Sequence, residues 1–397
     1  MTHQTHHTGR KKRIFLYSHD TYGLGHIRRT LKIANTLVSS GEASVLIASA
    51  SPKASSFFTR EGIDFINLPG IIKERAGSYA PRDLDLSLPE LINLRSDIFL
   101  SSVKSFIPDI ILIDKEPLGV GGELLASIDF AHRNFKNCQI VAGFRDILDA
   151  PERVAAEWEE RDTIRVLEKY FHKILVYGER EVFAFDQEYR LPESLKSKLH
   201  YTGYIDPASD QLSNEQYSYL PDFETSRALT LVTAGGGGDG EDLILPFVEL
   251  LESGLKIEQN FILLTGPFLK GEIARRAWKL GERRSDVQVR HFISEPRVLM
   301  AQCQRIFCMG GYNTMCEAIS EGARPHVLGR SQPRLEQTLR VKHFEALGWC
   351  QALNPASFCA RNLEEILLTP SNVASKMSWQ ARGLTRIKDL FLGLSSS

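Results

Sequence analysis

Residues 305–337 read RIFCMGGYNTMCEAISEGARPHVLGRSQPRLEQ. The first five hold Ile306, Phe307 and Met309 in a short apolar run, the mark of a buried strand. Gly310 and Gly311 follow; lacking side chains, they let the backbone turn tightly and let a ligand come close to it. Helical spacing resumes at Asn313 or Thr314, either of which suits the cap of a first turn, and runs through Met315, Cys316, Glu317, Ala318 and Ile319 until Gly322 ends it. A second short strand and a polar loop complete the stretch. A strand feeding a glycine turn and a helix start exposes backbone N–H groups with no helical acceptor, and these suit a phosphate. Glu317, about one turn inside, is placed to accept from ribose hydroxyls. The competing account is an ordinary connection whose glycines serve packing.

The residues upstream repeat this grammar. Residues 228–233, ALTLVT, read as a buried strand, followed by Ala234, the glycines Gly235, Gly236, Gly237 and Gly238, Asp239 and Gly240, then a helix over 241–251. Such a loop brings N–H groups close to a diphosphate. It lacks the lysine and hydroxyl of GxxxxGK[ST], which argues against a triphosphate-hydrolysing loop. Strands at 260–265 and 287–292 alternate with helices at 270–280 and 297–303; the edge at 293–296 either holds a nucleobase or simply connects two elements. Downstream, Pro333 precedes a helix over 334–347 whose first turn carries Glu336 and Gln337, a carboxylate and an amide suited to sugar hydroxyls. Arg330 and Arg334 either touch phosphate or face solvent.

The first half follows the same strand–helix alternation, which predicts parallel sheets. Residues 13–18, RIFLYS, lead into His19, Asp20 and the loop Gly23-Leu24-Gly25-His26, after which Ile27, Leu31, Ile33, Ala34 and Leu37 fall on helical spacing with Arg28, Arg29 and Lys32 on other faces. GxGH is not the dinucleotide fingerprint GxGxxG. A strand at 43–48, a helix at 51–61 and a strand at 64–68 follow. Residues 69–89 break the rhythm, as expected of a lid, an acceptor flap or a solvated loop. A helix at 90–106 precedes the apolar strand 110–113, and Asp114, Lys115 and Glu116 stand at its end. Ligands of open α/β sheets collect there, so Asp114 and Glu116 are candidates for proton transfer or hydroxyl orientation; a salt-bridged loop is the alternative. A helix at 123–130, a strand at 139–143 ending in Arg145 and Asp146, a charged helix at 153–170, and strands at 173–177 and 198–201 complete this half.

The 397 residues favour two domains. The expected division is a tail at 1–12, a first Rossmann-like domain at 13–205, a connection at 206–227, a second at 228–372, and a helix at 373–397 that crosses back to the first domain or caps the second. Lys and Arg number 48 against 49 Asp and Glu, a net charge of -1 that gives no reason to propose nucleic acid as a partner. Six cysteines without a CxxC pair read as reduced core residues. No metal site is expected, since no compact DxD stands at a strand end. The absence of an apolar leader or span predicts a cytoplasmic protein, and the basic N-terminus with Ile71, Ile72, Lys73, Arg75 and Tyr79 predicts peripheral contact with the inner face of an anionic membrane.

Taken together, the glycine loop ending in His26, the run Gly235 to Gly238, the sequence Gly310-Gly311-Tyr312-Asn313-Thr314 with Glu317, Pro325, and the pair Glu336-Gln337 resemble GT-B glycosyltransferases. The resemblance is to the branch holding the undecaprenyl-linked muramyl-peptide N-acetylglucosaminyltransferases and related lipid glycosyltransferases. It covers 228–350 best. It implies an α/β fold of two Rossmann-like domains facing across a cleft, with a nucleotide-sugar co-substrate, UDP-linked, on the second domain. A hydroxyl-bearing acceptor, lipid-linked in that branch, lies on the first, and no cofactor is tightly bound. Glu317 resembles the ribose-binding carboxylate; Gly310, Gly311, Asn313 and Thr314 the diphosphate turn; Glu336 and Gln337 the sugar contacts; Gly25 and His26 the first-domain loop. The expected reaction is transfer with inversion, His26 acting as base and His19 with Asp20, Asp114 and Glu116 as competitors. A nucleotide-sugar 2-epimerase and a noncatalytic nucleotide-sugar-binding or scaffold protein are the alternatives.

Overall fold

The computed structural model describes residues 10–19, 24–52, 54, 57, 59–73, 79–205, 223, 227–236, 238–255, 257–293, 296–369 and 379–393. In the first half the strands are β1 (Lys12–Tyr17), β2 (Ala43–Ser49), β3 (Ile63–Asn67), a separate antiparallel hairpin of β4 (Ile71–Lys73) and β5 (Tyr79–Pro81), then β6 (Ile110–Asp114), β7 (Gln139–Arg145), β8 (Lys173–Tyr177) and β9 (Leu199–Tyr201). Their apolar runs are buried on both faces, as parallel strands covered by helices require: every residue of β6 is buried. The sheet order is β3-β2-β1-β6-β7-β8-β9, all parallel. The second half holds β10 (Ala228–Thr233), β11 (Gln259–Leu264), β12 (Val287–Arg290), β13 (Arg305–Met309), β14 (His326–Leu328) and β15 (Gln351–Leu353), ordered β12-β11-β10-β13-β14-β15 and also parallel. Each sheet therefore reverses its winding once, between β1 and β6 and between β10 and β13. A crevice opens at such a reversal, outside the strand C-termini.

The helices of the first half are α1 (Gly25–Val38), α2 (Leu88–Phe106), α3 (Leu125–Asn134), α4 (Pro151–Glu160), α5 (Thr163–Tyr170), α6 (Phe185–Glu188) and α7 (Glu193–Lys196). Those of the second are α8 (Glu241–Glu252), α9 (Gly271–Arg283), α10 (Arg297–Met300), α11 (Tyr312–Ser320), α12 (Glu336–Ala346), α13 (Ala360–Leu368) and α14 (Gly383–Leu392). Local chemistry starts and stops them. Ser87 and Glu90 exchange hydrogen bonds in a capping box at the head of α2, and Ile107 ends it in the left-handed region. In α14 the buried residues Leu384, Ile387 and Phe391 form one helical stripe, which packs on α1. Lys12 Nζ donates to the Phe391 carbonyl at 2.6 Å and Arg386 pairs with Glu179 at 3.0 Å, so the chain's last helix covers the first half.

An aromatic cluster joins the halves: Tyr204 stacks on Trp379 with centroids 4.7 Å apart and meets Phe344 edge-on at 5.3 Å. Between the same halves Arg340, fully buried, donates to both Asp146 oxygens at 2.7 and 2.8 Å.

The structure corrects several expectations. Of the helix expected at 51–61, residues 53, 55, 56 and 58 lie outside the described residues; the others hold turns and bends with a 3-10 position at Ala54. The single helix expected at 153–170 is α4 and α5, broken where Asp162 takes φ 51°. The segment 297–303 is helical only over α10. Neither Asn313 nor Thr314 caps α11; Gly311 stands at that position, with no side-chain cap bond. Cys138, Cys308, Cys316 and Cys350 are buried and Cys303 is half-buried, but Cys359 is exposed; all six are free thiols.

Candidate functional site

The two winding reversals face each other across a cavity of about 230 Å³. Its first-half wall comes from the loop after β1 and from α1, with Gly25, His26, Arg28 and Arg29, and from Arg145 at the end of β7. The opposite wall is made of the turn after β10, with Gly235, Gly236, Gly238 and Asp239, and the turn after β13, with Gly311, Tyr312, Asn313 and Thr314. Glu317, Arg330, Glu336 and Gln337 complete it. Gly237 and the expected partners Asp20 and Gly23 lie outside the described residues.

His26 begins α1 and Asp114 ends β6, 88 residues later in the chain. The His26 Nδ1 is in close hydrogen-bond contact with Asp114 Oδ2, while Arg29 donates to the same carboxylate at 2.6, 2.8 and 3.1 Å. Burial alone would raise the Asp114 carboxyl; the charge of Arg29 and the contact with His26 outweigh it and hold the group down at about 2. Arg29 Nη2 also stands 2.9 Å from His26 Nδ1, but the closer contact is to an ionised carboxylate, which only accepts; it puts the proton on Nδ1 and leaves Nε2 its lone pair. Burial, against the pull of Asp114, pushes the imidazole down to about 4. The ring is therefore neutral at neutral pH, an oriented proton acceptor on the cavity wall. Asp114 orients it from behind and does not line the cavity.

His19 is buried with its ring centroid 5.5 Å from that of His26, behind the wall. Glu116 lies away from the cavity, its Oε2 accepting from Arg161 at 2.8 Å. Of the four described candidates, His26, His19, Asp114 and Glu116, only His26 lines the cavity.

On the second wall the fold presents backbone. Gly235 takes φ +60°, a conformation glycine adopts freely. Gly310 is set back from the cavity: its carbonyl accepts from Arg340 at 2.8 Å, and a Cβ there would lie 3.0 Å from Val341 and 3.2 Å from the Gln337 carbonyl oxygen. Asn313 Nδ2 donates across the cleft to the Gly25 carbonyl at 2.8 Å. Among the described residues, three polar oxygens along this wall are buried without a hydrogen-bond partner: Glu317 Oε2, Glu336 Oε2 and Gln337 Oε1. Orphaned acceptors of this kind cost free energy unless a ligand donates to them. The other oxygen of Glu317 accepts from Arg28 at 2.7 Å and Lys32 at 2.8 Å, and these cations hold the buried carboxyl ionised against its desolvation. Arg330 pairs with Asp239 at 2.8 Å and Glu336 at 3.0 Å. Phe268 and Phe292, each about two-fifths exposed (40% and 39%), line the cavity, and Phe292 meets Phe57 edge-on at 6.1 Å. Among the described residues no three His, Cys, Asp or Glu side chains converge as metal ligands would.

Sequence reading missed Arg28, Arg29 and Lys32, which look like the solvent face of an amphipathic helix, and Arg145, which looks like a strand end. Their repeated placement after a glycine loop and at a strand C-terminus is the signal that could have found them. Arg334, expected beside Arg330, pairs instead with Glu157 at 2.8 Å.

No family model matches the chain, and no curated protein matches its sequence. Solved structures do resemble it. A UDP-glucosyltransferase from Polygonum tinctorium capable of glucosylating indoxyl aligns with a TM-score of 0.59 at 12% identity, covering 98% of this chain and 100% of that one. MurG from Acinetobacter baumannii aligns at 0.56 and 13% identity over 97% and 100%. A protein described as a UDP-N-acetylglucosamine 2-epimerase from Listeria monocytogenes aligns at 0.58 and 11% identity over 98% and 99%. With the two doubly wound parallel sheets, these likenesses establish the GT-B fold, two Rossmann-like domains facing across a cleft.

Proposed function

We propose that this protein transfers a sugar from a nucleoside diphosphate sugar, UDP-linked, to an acceptor hydroxyl with inversion at the anomeric carbon. The observation that carries the reading is the neutral, Asp114-oriented His26 standing across one cavity from two glycine turns. The acceptor hydroxyl attacks the anomeric carbon from the His26 side while Nε2 takes its proton, and the bond to the diphosphate breaks on the opposite side. One displacement inverts the configuration. Proton transfer by a positioned base contributes typically 10²–10⁴-fold.

Charge then grows on the departing diphosphate. The first turn of α11 and the turn at Gly235 and Gly236 line the cavity, and their backbone N–H groups receive that charge in the manner of a helix start holding an anion. Glu317 Oε2 accepts from the ribose, Glu336 and Gln337 accept from sugar hydroxyls, and Phe268 and Phe292 offer faces to the base. Filling the three orphaned acceptors makes the donor's hydroxyls, and not only its charge, a basis for selection.

The 2-epimerase reading keeps the donor half and dispenses with an acceptor; the Listeria likeness favours it. Incubating the protein with radiolabelled nucleotide sugars and a mixed acceptor extract separates the two. A labelled conjugate with release of nucleoside diphosphate is the expected result. Isomerised nucleotide sugar without conjugate would replace transfer with epimerisation, and saturable binding without turnover would leave a noncatalytic binding protein.

A further inference from the structure

Beside the dyad lies a second, smaller cavity whose charges do not balance. Four cations line it, Lys115, Arg145, Arg161 and Arg334, against two carboxylates, Glu116 and Glu157. Both carboxylates are engaged: Glu116 by Arg161 at 2.8 Å and Lys115 at 3.6 Å, Glu157 by Arg334 through both oxygens at 2.8 and 3.1 Å; behind the lining, Asp149 also reaches Arg334 at 3.3 Å. Arg145 is only loosely paired, because the carboxylate it reaches is held more closely by Arg330, at 3.0 Å. That carboxylate, Glu336, is 3.6 Å from Arg145, whose Nε is buried with no hydrogen-bond partner.

Burial and the charges of Arg340 and Arg29 push the Arg145 guanidinium down, against the pull of Glu336; burial with Arg145 and Arg334 does the same to Lys115, against Glu116. An excess of crowded, under-neutralised cations is a site waiting for an anion.

The cavity's place in the fold ties it to the reaction. Lys115 follows Asp114 directly and takes φ 70°, a left-handed kink that sends Asp114 to His26 and Lys115 to the second cavity. Such conformations cluster at functional sites. Arg145 lines both cavities and so forms the wall between them. The volume, about 30 Å³, has room for about two water-sized groups, which fits the two oxygens of a carboxylate or two of a phosphate's and not a sugar ring.

We propose that this cavity is an anion subsite for the acceptor. The acceptor carries a carboxylate or a phosphate, which Lys115, Arg145 and Arg161 receive while its hydroxyl lies at His26. The inference rests on the glycosyl-transfer reading and names the acceptor's chemistry within it.

The direct test titrates inorganic phosphate into protein saturated with UDP, followed by calorimetry. Saturable binding is expected, weakened about tenfold by Arg161→Gln or Lys115→Gln, the worth of one charge-assisted hydrogen bond. Arg161 is 41% exposed on its side chain, and its loss leaves Glu116 beside Lys115, so the variant keeps its fold. In transfer assays, glucose 6-phosphate and glucuronic acid serve as the phosphate and carboxylate arms against glucose. A charged acceptor is expected to be preferred, with its KM raised about tenfold by Arg161→Gln and kcat held. Phosphate binding indifferent to both variants, or a preference for glucose, would overturn the subsite. If phosphate binding falls in the variants but no sugar is transferred to anything, the subsite stands and the transfer reading fails. If glucose is glycosylated while phosphate does not bind, transfer stands and the subsite falls.

Discussion

The two halves share a strand order around their crevices yet fill them with opposite chemistry. At the end of β6 the first half sets charged side chains: Asp114 against Arg29 and His26, and Lys115 beyond them. At the ends of β10 and β13 the second half sets glycines and a helix start, so that backbone faces the cavity. A common topology fixes where a ligand lies. What happens to the ligand is decided by the few residues after each strand. Side chains can be protonated and moved, which suits the half to which the proposed transfer gives the proton. Backbone N–H groups are fixed dipoles, which suits the half that receives a fixed charge.

Substitutions that blur this division should have graded effects. Arg340→Ala is expected to be the most severe, because it leaves Asp146 buried and unpaired between the halves; about 3–5 kcal/mol should be lost in denaturant unfolding. Asp114→Asn removes the charge and turns one of the two accepting oxygens into a donor, so it no longer holds His26 in its tautomer while accepting from Arg29, which is left unneutralised. Its kcat should fall about 10²-fold or more, within the span of general-base catalysis, with UDP affinity little changed by calorimetry. On the backbone side, Gly235→Ala forces a Cβ into the left-handed region at a cost of about 1–2 kcal/mol, and UDP should bind about tenfold more weakly.

The smallest expected effect is a pH signature. His26 sits at about 4 when folded, below its ordinary value near 6.5. As pH falls through 6.5, the unfolded chain takes a proton that the folded chain refuses, so this residue's contribution lowers stability progressively until pH passes about 4. The base itself stays neutral across that window, so kcat should hold between pH 6.5 and 5 and drop only near 4. An acid limb centred near 6.5 would show an imidazole unperturbed by its surroundings.

The chain announced its strands because burial on both faces leaves continuous apolar runs; β13 occupies the expected residues 305–309. Three-residue β15 carries too little pattern to be seen, and the break between α4 and α5 is invisible because both sides are good helix formers. At the site, Glu317, Glu336 and Gln337 were legible as polar residues following glycine turns and helix starts. The pairing of His26 with Asp114 was not, because it spans 88 residues and depends on the position of β6 beside β1. Arg28 and Lys32 were hidden for a different reason. They obey the amphipathic pattern of α1, and only the approach of the second half turns their face into an interior holding Glu317.

The division of labour is tested most directly by His26→Ala, assayed in parallel for UDP binding by calorimetry and for transfer from a labelled nucleotide sugar. The account predicts UDP affinity within about twofold of the parent and kcat reduced about 10²–10⁴-fold. Turnover at the parental rate, or loss of UDP binding with kcat intact, would contradict it.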